Sequence, residues 1–342
     1  MKPDFSKRVR KLRKLITESK LDALLLSSPR DILYYTGSKL TGDAAFLLVD
    51  LRSKPSLIIS SLSNYTWNLK AAKVHFFSDF KDIVKEIDGY NSLGFDEKNM
   101  NTGIFMKLKK LGIKLKPFGS KIKIPRMVKD DWEISQIKKA IKLTENIFQE
   151  VRFVGRTESE ASRWISKSVI DLGVENAFPP IIASGSNSAF IHYLPGKRKI
   201  KAKDLVIMDI GVRFNGYCSD MTRTFCQRPN KKQKKVYGDV LEIQKQIIDN
   251  ARAGVRFDVL ENFSKKLYEK LGYKKMHSTG HGVGLSVHER PVSKDTIQEG
   301  MVFTVEPGIY IKNWGGCRVE DIVHIKNNRA KLLSKLSREL TP

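Results

Sequence analysis

The sequence has few cysteines and no long apolar run. Three cysteines among 342 residues, with no CxxC pair, exclude a disulfide-stapled fold and a cysteine-ligated zinc site. No run of about 18 apolar residues is present, which excludes an ordinary transmembrane helix. The basic N-terminus lacks the apolar segment of a secretory signal. We therefore expect a cytoplasmic protein that binds no membrane and whose core folds without cross-links.

Positive charge is what the sequence has in excess. Lys and Arg number 62 against 37 Asp and Glu, which gives a net charge of +25. The excess is spread along the chain, and no nucleic-acid-binding motif accompanies it. Because spread charge promotes solubility and only loose attraction to polyanions, we expect no specific nucleic-acid partner.

The length allows about two domains, and the pattern predicts a first domain over residues 1–122. Its basic start predicts a helix with Val9, Leu12 and Ile16 on the apolar side. Short apolar runs mixed with helical periodicity are typical of a small α/β domain. Strands are expected at 23–26, 32–35, 44–49, 57–59 and 92–95, and helices near 64–73, 80–87 and 103–112.

Residues 123–131 contain Pro125 and a charged stretch, which predict a linker. The remaining residues, 132–342, predict an α+β domain in which helices cover a sheet. Its first helix begins at a capping box formed by Asp130 and Glu133. Two more helices are expected at 232–251 and 258–271, and strands at 205–213, 217–226, 301–311 and 317–325.

Residues 204–225 predict a hairpin that brings two acids together. Asn215-Gly216 between two apolar runs is typical of a type I′ turn. A two-residue turn pairs Asp209 with Thr222, which places Asp220 diagonal to Asp209 on the same face. Because apolar residues flank Asp209, two ionised carboxylates there would repel each other at high cost. They indicate a shared proton or bound cations, unless both acids lie on a solvated face.

Residues 277–291, HSTGHGVGLSVHERP, gather three of the six histidines. His277, His281 and His288 are accompanied by glycines that permit close backbone approach around His281. No helix pattern opens at these glycines, which excludes a dinucleotide fingerprint, and Val292 stands where an HExxH motif needs its second histidine. Taken alone, each histidine fits a structural role better than ligation.

Two glutamates complete a set of metal-ligand types. Glu306 follows the apolar run MVFTV, and Glu320 lies in CRVEDIVHI with Arg318 two residues earlier on the same face. Together with Asp209, Asp220 and a histidine, they offer the ligands that Mn²⁺, Co²⁺, Fe²⁺ or Zn²⁺ accept. Four carboxylates balance two divalent cations better than one, and two-metal sites are typical of hydrolases.

These segments together resemble the M24 metallopeptidases of the prolidase and aminopeptidase P type. The resemblance covers nearly the whole chain and rests on DIG…SDMTRTF, HSTGHGVGL…HE, VEPGIY, GGCRVED, RDILYYTG (30–37) and SGSNSAFIHY (184–193). It implies an α+β fold in which a smaller creatinase-like α/β N-terminal domain precedes a C-terminal pita-bread catalytic domain. We also expect a homodimer.

The resemblance implies two divalent metal ions per subunit, with Mn²⁺ or Co²⁺ favoured over Zn²⁺ or Fe²⁺. By position, five residues would hold them: Asp209 on one ion, His281 and Glu306 on the other, and Asp220 and Glu320 bridging both.

The implied reaction is hydrolysis of the peptide bond preceding proline in a peptide substrate, with a metal-bridging hydroxide as nucleophile. His288 would stabilise the tetrahedral intermediate, and Glu306 is a candidate general base. His192 and His277 would line the substrate-binding site. Arg318 would steer the substrate and support Glu320.

The residues leave several alternatives open. A dipeptidase is slightly favoured over an aminopeptidase acting on longer peptides, although the spacing between His288 and Glu306 is shorter than in long prolidases. A metal-free binding protein on the same fold would have no chemical reason to retain five ligand residues. Another metal-dependent hydrolase or a lyase remains a further alternative.

Overall fold

The computed structural model describes residues 2–40, 45–62 and 71–341. The chain divides into two compact units, one from residue 2 to 126 and one from 127 onward. This division falls within the segment 123–131 that the sequence predicts as a linker.

The first unit is built on a six-stranded mixed sheet. Its strands are β1 (Ala23–Leu26), β2 (Ala45–Asp50), β3 (Ser56–Ser60), β4 (Lys73–Phe77), β5 (Ser92–Phe95) and β6 (Lys114–Pro117), in the order β4-β3-β2-β1-β5-β6. β1 pairs antiparallel with β2 and parallel with β5. The helices are α1 (Phe5–Glu18), α2 (Pro29–Thr36), α3 (Phe80–Ile87), α4 (Thr102–Lys110) and α5 (Gly119–Ile122), and a 3₁₀ turn follows at Ile124–Arg126.

The first helix confirms its sequence pattern. Asp4 caps α1 by accepting a hydrogen bond from the backbone N–H of Lys7 at 2.9 Å. Val9, Leu12 and Ile16 recur at helical spacing and are all buried. The stripe therefore fixes which side of the helix faces the core.

Two expectations for the first unit need correction or stay open. The strand expected at 32–35 is wrong, because these residues lie in helix α2. Pro29 stands at the start of that helix, and Gly37 ends it with φ of 78°. Four apolar residues in a row, at 32–35, carry no period that separates helix from strand. Most of the helix expected near 64–73 lies outside the described residues.

The second unit consists of four small sheets and their covering helices. The strands are β7 (Glu175–Asn176), β8 (Ile181–Ser184), β9 (Val206–Ile210), β10 (Val212–Phe214), β11 (Tyr217–Cys218), β12 (Met221–Phe225), β13 (Val302–Val305), β14 (Gly308–Ile311), β15 (Gly315–Arg318), β16 (Asp321–Lys326) and β17 (Arg329–Leu332). They form sheets in the orders β11-β10-β7, β12-β9-β8, β13-β16-β17 and β14-β15. All are antiparallel.

Four long helices accompany these sheets: α6 (Asp131–Glu150), α7 (Glu158–Asp171), α8 (Lys231–Asn250) and α9 (Phe257–Lys270), with a 3₁₀ turn at Gly185–Ala189. The capping box of Asp130 and Glu133 at the start of α6 is confirmed. Helix α7 was not predicted, although Thr157 and Glu160 form a capping box there too. No helix among the described residues is long and apolar enough to cross a membrane.

The strands expected in this unit are each interrupted. The run 205–213 divides at Gly211, 217–226 divides at Ser219 and Asp220, 301–311 divides at Glu306, and 317–325 divides before Asp321. Three of the candidate metal ligands, Asp220, Glu306 and Glu320, lie in these breaks. Departures from regular pairing re-aim a side chain. The breaks in the strands therefore determine where these three carboxylates lie.

Candidate metal centre

The hairpin predicted over 204–225 is confirmed. Asn215 and Gly216 both have positive φ, 48° and 86°, as a type I′ turn requires. Asp209 pairs with Thr222, in the register that the two-residue turn dictates. The residue between β9 and β10 must be glycine, because a Cβ on Gly211 would come within 2.1 Å of the backbone oxygen of Ser219.

Three of the candidate ligands converge in the structure. Asp220, His281 and Glu320 offer ligand atoms that all lie within 4.8 Å of one another. The two acids are buried, at 4% and 2% exposure. An isolated bridge joins Glu320 to Thr222, so the second half of the hairpin carries one acid and pairs with the other. Residues about 100 positions apart in sequence are thus brought into one site.

The glycine-rich segment 277–291 positions His281, and its contacts leave the ring neutral. A Cβ on Gly280 would come within 1.9 Å of the Thr304 carbonyl oxygen, and one on Gly282 within 2.0 Å of the Arg290 carbonyl oxygen. Nδ1 of His281 donates to the carbonyl of Gly282 at 3.2 Å, which leaves Nε2 free of a proton. Burial lowers the pKa of His281 to about 4, so the ring is a neutral nitrogen ligand.

Glu306 lies beside this histidine. Its Oε1 is 3.5 Å from Nε2 of His281, and Oδ2 of Asp220 is at the same distance from that nitrogen. Burial raises the pKa of Glu306 to about 7, and Asp209 adds to the effect while Arg318 opposes it. The carboxyl therefore titrates near neutral pH when no cation is beside it.

The bridging candidates are more strongly perturbed. Burial raises the pKa of Asp220 well above its usual range, and the charges of Glu320 and Asp209 add to this. Burial likewise raises the pKa of Glu320 far above its ordinary value, with Glu306 and Asp209 contributing. Neighbouring carboxyl groups away from water are costly to ionise together. These acids therefore need positive charge close to them in order to be ionised at the same time.

Arg318 supplies one such charge, on Asp209. Its Nη2 donates to Oδ2 of Asp209 at 2.7 Å, and its Nε donates to Oγ1 of Thr222 at 3.1 Å. The threonine hydroxyl in turn donates to Oε2 of Glu320 at 2.8 Å. Arg318 thus reaches Glu320 through Thr222, a residue that the sequence had placed only as the hairpin partner of Asp209.

Tyr310 is a site residue that sequence reasoning missed. Its hydroxyl accepts a hydrogen bond from Nη1 of Arg318 at 2.9 Å and lies 3.0 Å from Nε2 of His277. Because Nδ1 of His277 donates to the Ser278 carbonyl, Nε2 accepts from the tyrosine. Burial lowers the pKa of His277 to about 4. The sequence feature that could have identified Tyr310 is its position in the segment VEPGIY, which also contains Glu306.

The remaining two histidines lie at the exposed side of the site. The ring of His288 lies 4.0 Å from that of His281, centroid to centroid. Burial lowers the pKa of His288, and the neighbouring His192 adds to this. His192 is exposed, and the preceding residue, Ile191, accepts a hydrogen bond from Nη1 of Arg318 at 3.4 Å. Both rings therefore remain accessible beside the buried acids.

The residues present fit divalent cations. Oδ1 of Asp209 is buried without a hydrogen-bond partner, whereas Oδ2 is paired with Arg318. Buried polar atoms are nearly always partnered, so this oxygen indicates a missing ligand. Carboxylate and imidazole donors in one dry cluster are the set that Mn²⁺, Co²⁺, Fe²⁺ or Zn²⁺ accept. The site is thus a candidate divalent-metal centre of the kind found in hydrolases.

The chain belongs to metallopeptidase family M24. The model of that family matches residues 135–327, and the model of the creatinase/prolidase N-terminal domain matches residues 8–128. The expected creatinase-like domain followed by a pita-bread domain of α+β class is thereby confirmed. Membership of the family implies divalent metal ions as cofactors.

Relatives match over the full length. The Xaa-Pro dipeptidase of Pyrococcus horikoshii is 33% identical, and the match covers 98% of this chain and 99% of that protein. The crystal structure of the prolidase from Pyrococcus horikoshii matches with a TM-score of 0.88 at 31% identity, covering 98% and 99% of the two chains. The X-Pro aminopeptidase of Thermotoga maritima matches with a TM-score of 0.85 at 28% identity, covering 97% and 99%.

Proposed function

We propose that this protein hydrolyses the peptide bond preceding proline and acts as an Xaa-Pro dipeptidase. The observation that carries the proposal is the buried convergence of Asp220, His281 and Glu320 within 4.8 Å, with Asp209 and Glu306 beside them. A metal-free binding surface gives no reason to gather four acids and a neutral histidine in one largely buried cluster. It is suited to hold catalytic cations, and the family supplies the reaction class.

Two divalent ions balance this donor set. We assign Asp209 to one ion, His281 and Glu306 to the other, and Asp220 and Glu320 to both, with Mn²⁺ or Co²⁺ favoured. When bound, such ions polarise the scissile carbonyl and lower the pKa of an attacking water. The neutral state of His281 and the unpartnered Oδ1 of Asp209 support this assignment.

The protein side chains contribute positioning and proton transfer. His288 is accessible beside His281, where a ring N–H can donate to the oxygen that becomes negative in the transition state. Glu306, whose Oε1 lies 3.5 Å from Nε2 of His281, is the candidate to take a proton from the attacking water. The Arg318–Tyr310–His277 chain runs from Asp209 to Glu306, because Nη2 of Arg318 donates to Asp209 and Nδ1 of His277 lies 3.8 Å from Oε2 of Glu306.

Recognition of proline cannot use an N–H donor on the scissile bond, because the imide nitrogen of proline carries none. Selectivity must therefore come from the shape of the ring and from the free termini of the peptide. His192 and His277 are proposed to line the substrate-binding site. The ring of His277 is neutral and His192 is exposed, so both can contact those termini.

An Xaa-Pro aminopeptidase is the second candidate. The observation that favours it is the full-length match to the X-Pro aminopeptidase of Thermotoga maritima, at nearly the TM-score of the prolidase match. The two activities differ in the length of peptide accepted, so substrate length distinguishes them.

A homodimer in the cytoplasm completes the proposal. Light scattering of the purified protein tests the dimer, because a monomer mass near 39.0 kDa would contradict it.

The test is hydrolysis by metal-stripped protein to which Mn²⁺, Co²⁺ or Zn²⁺ is added back. The substrates are an Xaa-Pro dipeptide and an Xaa-Pro-Xaa tripeptide. Asp209→Asn removes a proposed ligand, and Asp249→Asn, on an exposed face of α8, is the matched control. Metal-dependent cleavage of the dipeptide supports the dipeptidase, and preference for the tripeptide supports the aminopeptidase. Cleavage of neither, with ions bound, contradicts both.

A further inference from the structure

We propose that Lys129 and Glu289 form a buried ion pair that positions His288 in the catalytic site. The inference rests on the proposed function, because it assigns a role to the neighbours of His288. Lys129 lies in the segment predicted as a charged linker, and no sequence pattern indicates that it pairs with Glu289. Neither residue belongs to the ligand set, and both are positioning residues.

The pair is withdrawn from solvent. Nζ of Lys129 lies 3.0 Å from Oε1 of Glu289, and the side chains are 0% and 3% exposed. The ammonium also donates to the carbonyl of Met127 at 3.5 Å. A buried charge without its partner is strongly destabilising. Each residue therefore constrains where the other can lie.

The backbone that carries Lys129 is itself fixed. Its N–H donates to the carbonyl of Gly300 at 3.0 Å, and the preceding Val128 forms an isolated bridge with Met301. Met301 directly precedes strand β13. The lysine therefore presents its ammonium from an anchored position.

The loop between His281 and His288 closes onto this pair. Gly282 and Glu289 form an isolated bridge in which the N–H of Glu289 donates to the Gly282 carbonyl at 2.9 Å. The carboxylate lies on the bare backbone of Gly284, where an added Cβ would approach Oε1 of Glu289 to 2.3 Å. Both side chains of the ion pair thus pack on Gly284, inside the loop that ends at His288.

This loop is also tied to the hairpin that carries Asp220. The N–H of Cys218 donates to the Gly284 carbonyl at 2.7 Å. A backbone hydrogen bond therefore joins the loop that holds the ion pair to the hairpin that carries Asp220. A shift of the carboxylate would move His288, one residue away, relative to the acids. A displacement of about 1 Å at a catalytic group is enough to reduce the rate strongly.

The chain offers a matched control pair. Lys245 and Asp249 on α8 are also 3.0 Å apart, but their side chains are 70% and 58% exposed. Exposed pairs of this kind contribute little. Lys245→Met therefore removes a lysine of equal pairing distance without burying an uncompensated charge.

The experiment compares Lys129→Met, Glu289→Gln and the double variant in the full-length metal-loaded enzyme, assayed on an Xaa-Pro dipeptide. We expect kcat to fall about 10–100-fold in each single variant, the range seen when a supporting contact around a metal site is removed. KM and bound metal per chain should stay within about 2-fold, and Lys245→Met should match wild type. The double variant leaves no unpaired buried charge, so it should fold even where a single variant fails, and its loss should not exceed that of the worse single variant.

The decisive comparison uses His288→Ala as background. If the pair acts through His288, adding Glu289→Gln to His288→Ala should reduce kcat no further. An equal loss in both backgrounds, or a kcat within 2-fold of wild type in the double variant, would overturn the proposal, as would loss that follows bound metal.

A second readout does not need activity. Amide hydrogen exchange of the 282–289 backbone should quicken in the double variant and not in Lys245→Met; unchanged exchange would overturn the proposal. If wild type itself cleaves no Xaa-Pro peptide, the proposed function fails, while the exchange result still reports on the ion pair.

Discussion

Glu320 directly precedes β16 and Asp321 is the first residue of that strand. Both acids are buried, and their surroundings have opposite electrostatic effects. Glu320 faces the other acids, and burial with their charges raises its pKa well above the usual range. Burial also disfavours ionisation of Asp321, but Arg223 and Arg338 outweigh it and lower the pKa. Successive residues along an extended chain point to opposite faces. The face that carries Glu320 therefore has too little positive charge to balance its acids. The face that carries Asp321 holds an ion-pair network that is balanced within the protein.

The difference shows how to separate a structural acid from a functional one. Asp321 accepts hydrogen bonds from Nη2 of Arg223 at 2.7 Å, from Nε of Arg338 at 2.9 Å and from Gln244 at 3.0 Å. Its charge is satisfied within the protein. Glu320 has one hydroxyl donor, Thr222, and the charge around it is balanced only when cations are added.

The largest expected effect is on stability. Asp321→Asn leaves Arg223, 0% exposed, without its counter-charge, and we expect the free energy of unfolding to fall by about 3–5 kcal/mol. Denaturant unfolding of the variant measures this. Asp249→Asn, which removes an exposed partner, should leave the midpoint unchanged. A midpoint unchanged in Asp321→Asn would contradict the contrast between the two faces.

The next effect is on activity. Glu320→Gln removes a proposed bridging ligand, and we expect hydrolysis to fall by more than about 100-fold, beyond the usual cost of losing a mere supporting contact. Bound metal per chain should fall as well. The metal-free variant should be at least as stable as metal-free wild type, because one of several repelling acids is gone. A variant with full activity and full metal content would refute the ligand assignment.

A smaller effect is expected at Tyr310. Tyr310→Phe removes the hydroxyl between Arg318 and His277, and we expect kcat/KM to fall about 10-fold, since a hydrogen bond to a charged group contributes about 1.5 kcal/mol. Tyr237→Phe is the control, because Tyr237 is buried and its hydroxyl donates a hydrogen bond to the Arg338 carbonyl at 2.8 Å. It should affect stability rather than kcat/KM. Equal effects of the two changes on kcat/KM would show that Tyr310 has no special place in the site.

What the sequence could predict follows from the range of each interaction. The hairpin register was predictable, because the Asn215-Gly216 turn fixes the pairing of Asp209 with Thr222 locally. The candidate ligands could be named because their residue types and segments resemble a known family, while their roles stay predictions. By contrast, helix α2 was missed because its short apolar run carries no period.

The partners of the site could not be predicted from local pattern. Glu289 is 160 residues from Lys129, and the charged segment around Lys129 is typical of a solvated linker. Tyr310 lies in a strand whose alternation says which face it is on, but not that Arg318 and His277 meet there. Such contacts are set by the packing of separate small sheets, which composition and periodicity do not encode.

The smallest expected effect, a pH dependence of stability, sharpens the comparison between Asp321 and the acids around Glu320, of which Glu306 is one. In metal-free protein, Glu306 has a folded pKa of about 7 against an ordinary 4.5, so its contribution is most favourable below pH 4.5 and is lost as pH rises through 7. Asp321 has a lowered folded pKa, so its contribution is present above its ordinary 3.8 and is lost as pH falls below that value.

Metal-free protein should therefore gain stability on acidification from pH 8 toward about pH 5 and lose it below about pH 4. We expect the melting temperature to rise by about 2–4 °C per kcal/mol gained in the first range. Bound divalent cations balance the acids, so the metal-loaded protein should lose the first slope and keep the second. Thermal melts at several pH values, with and without chelator, measure both slopes. If chelation left the slope above pH 5 unchanged, the acids around Glu320 would not be the cation site, and the contrast with Asp321 would be one of packing alone.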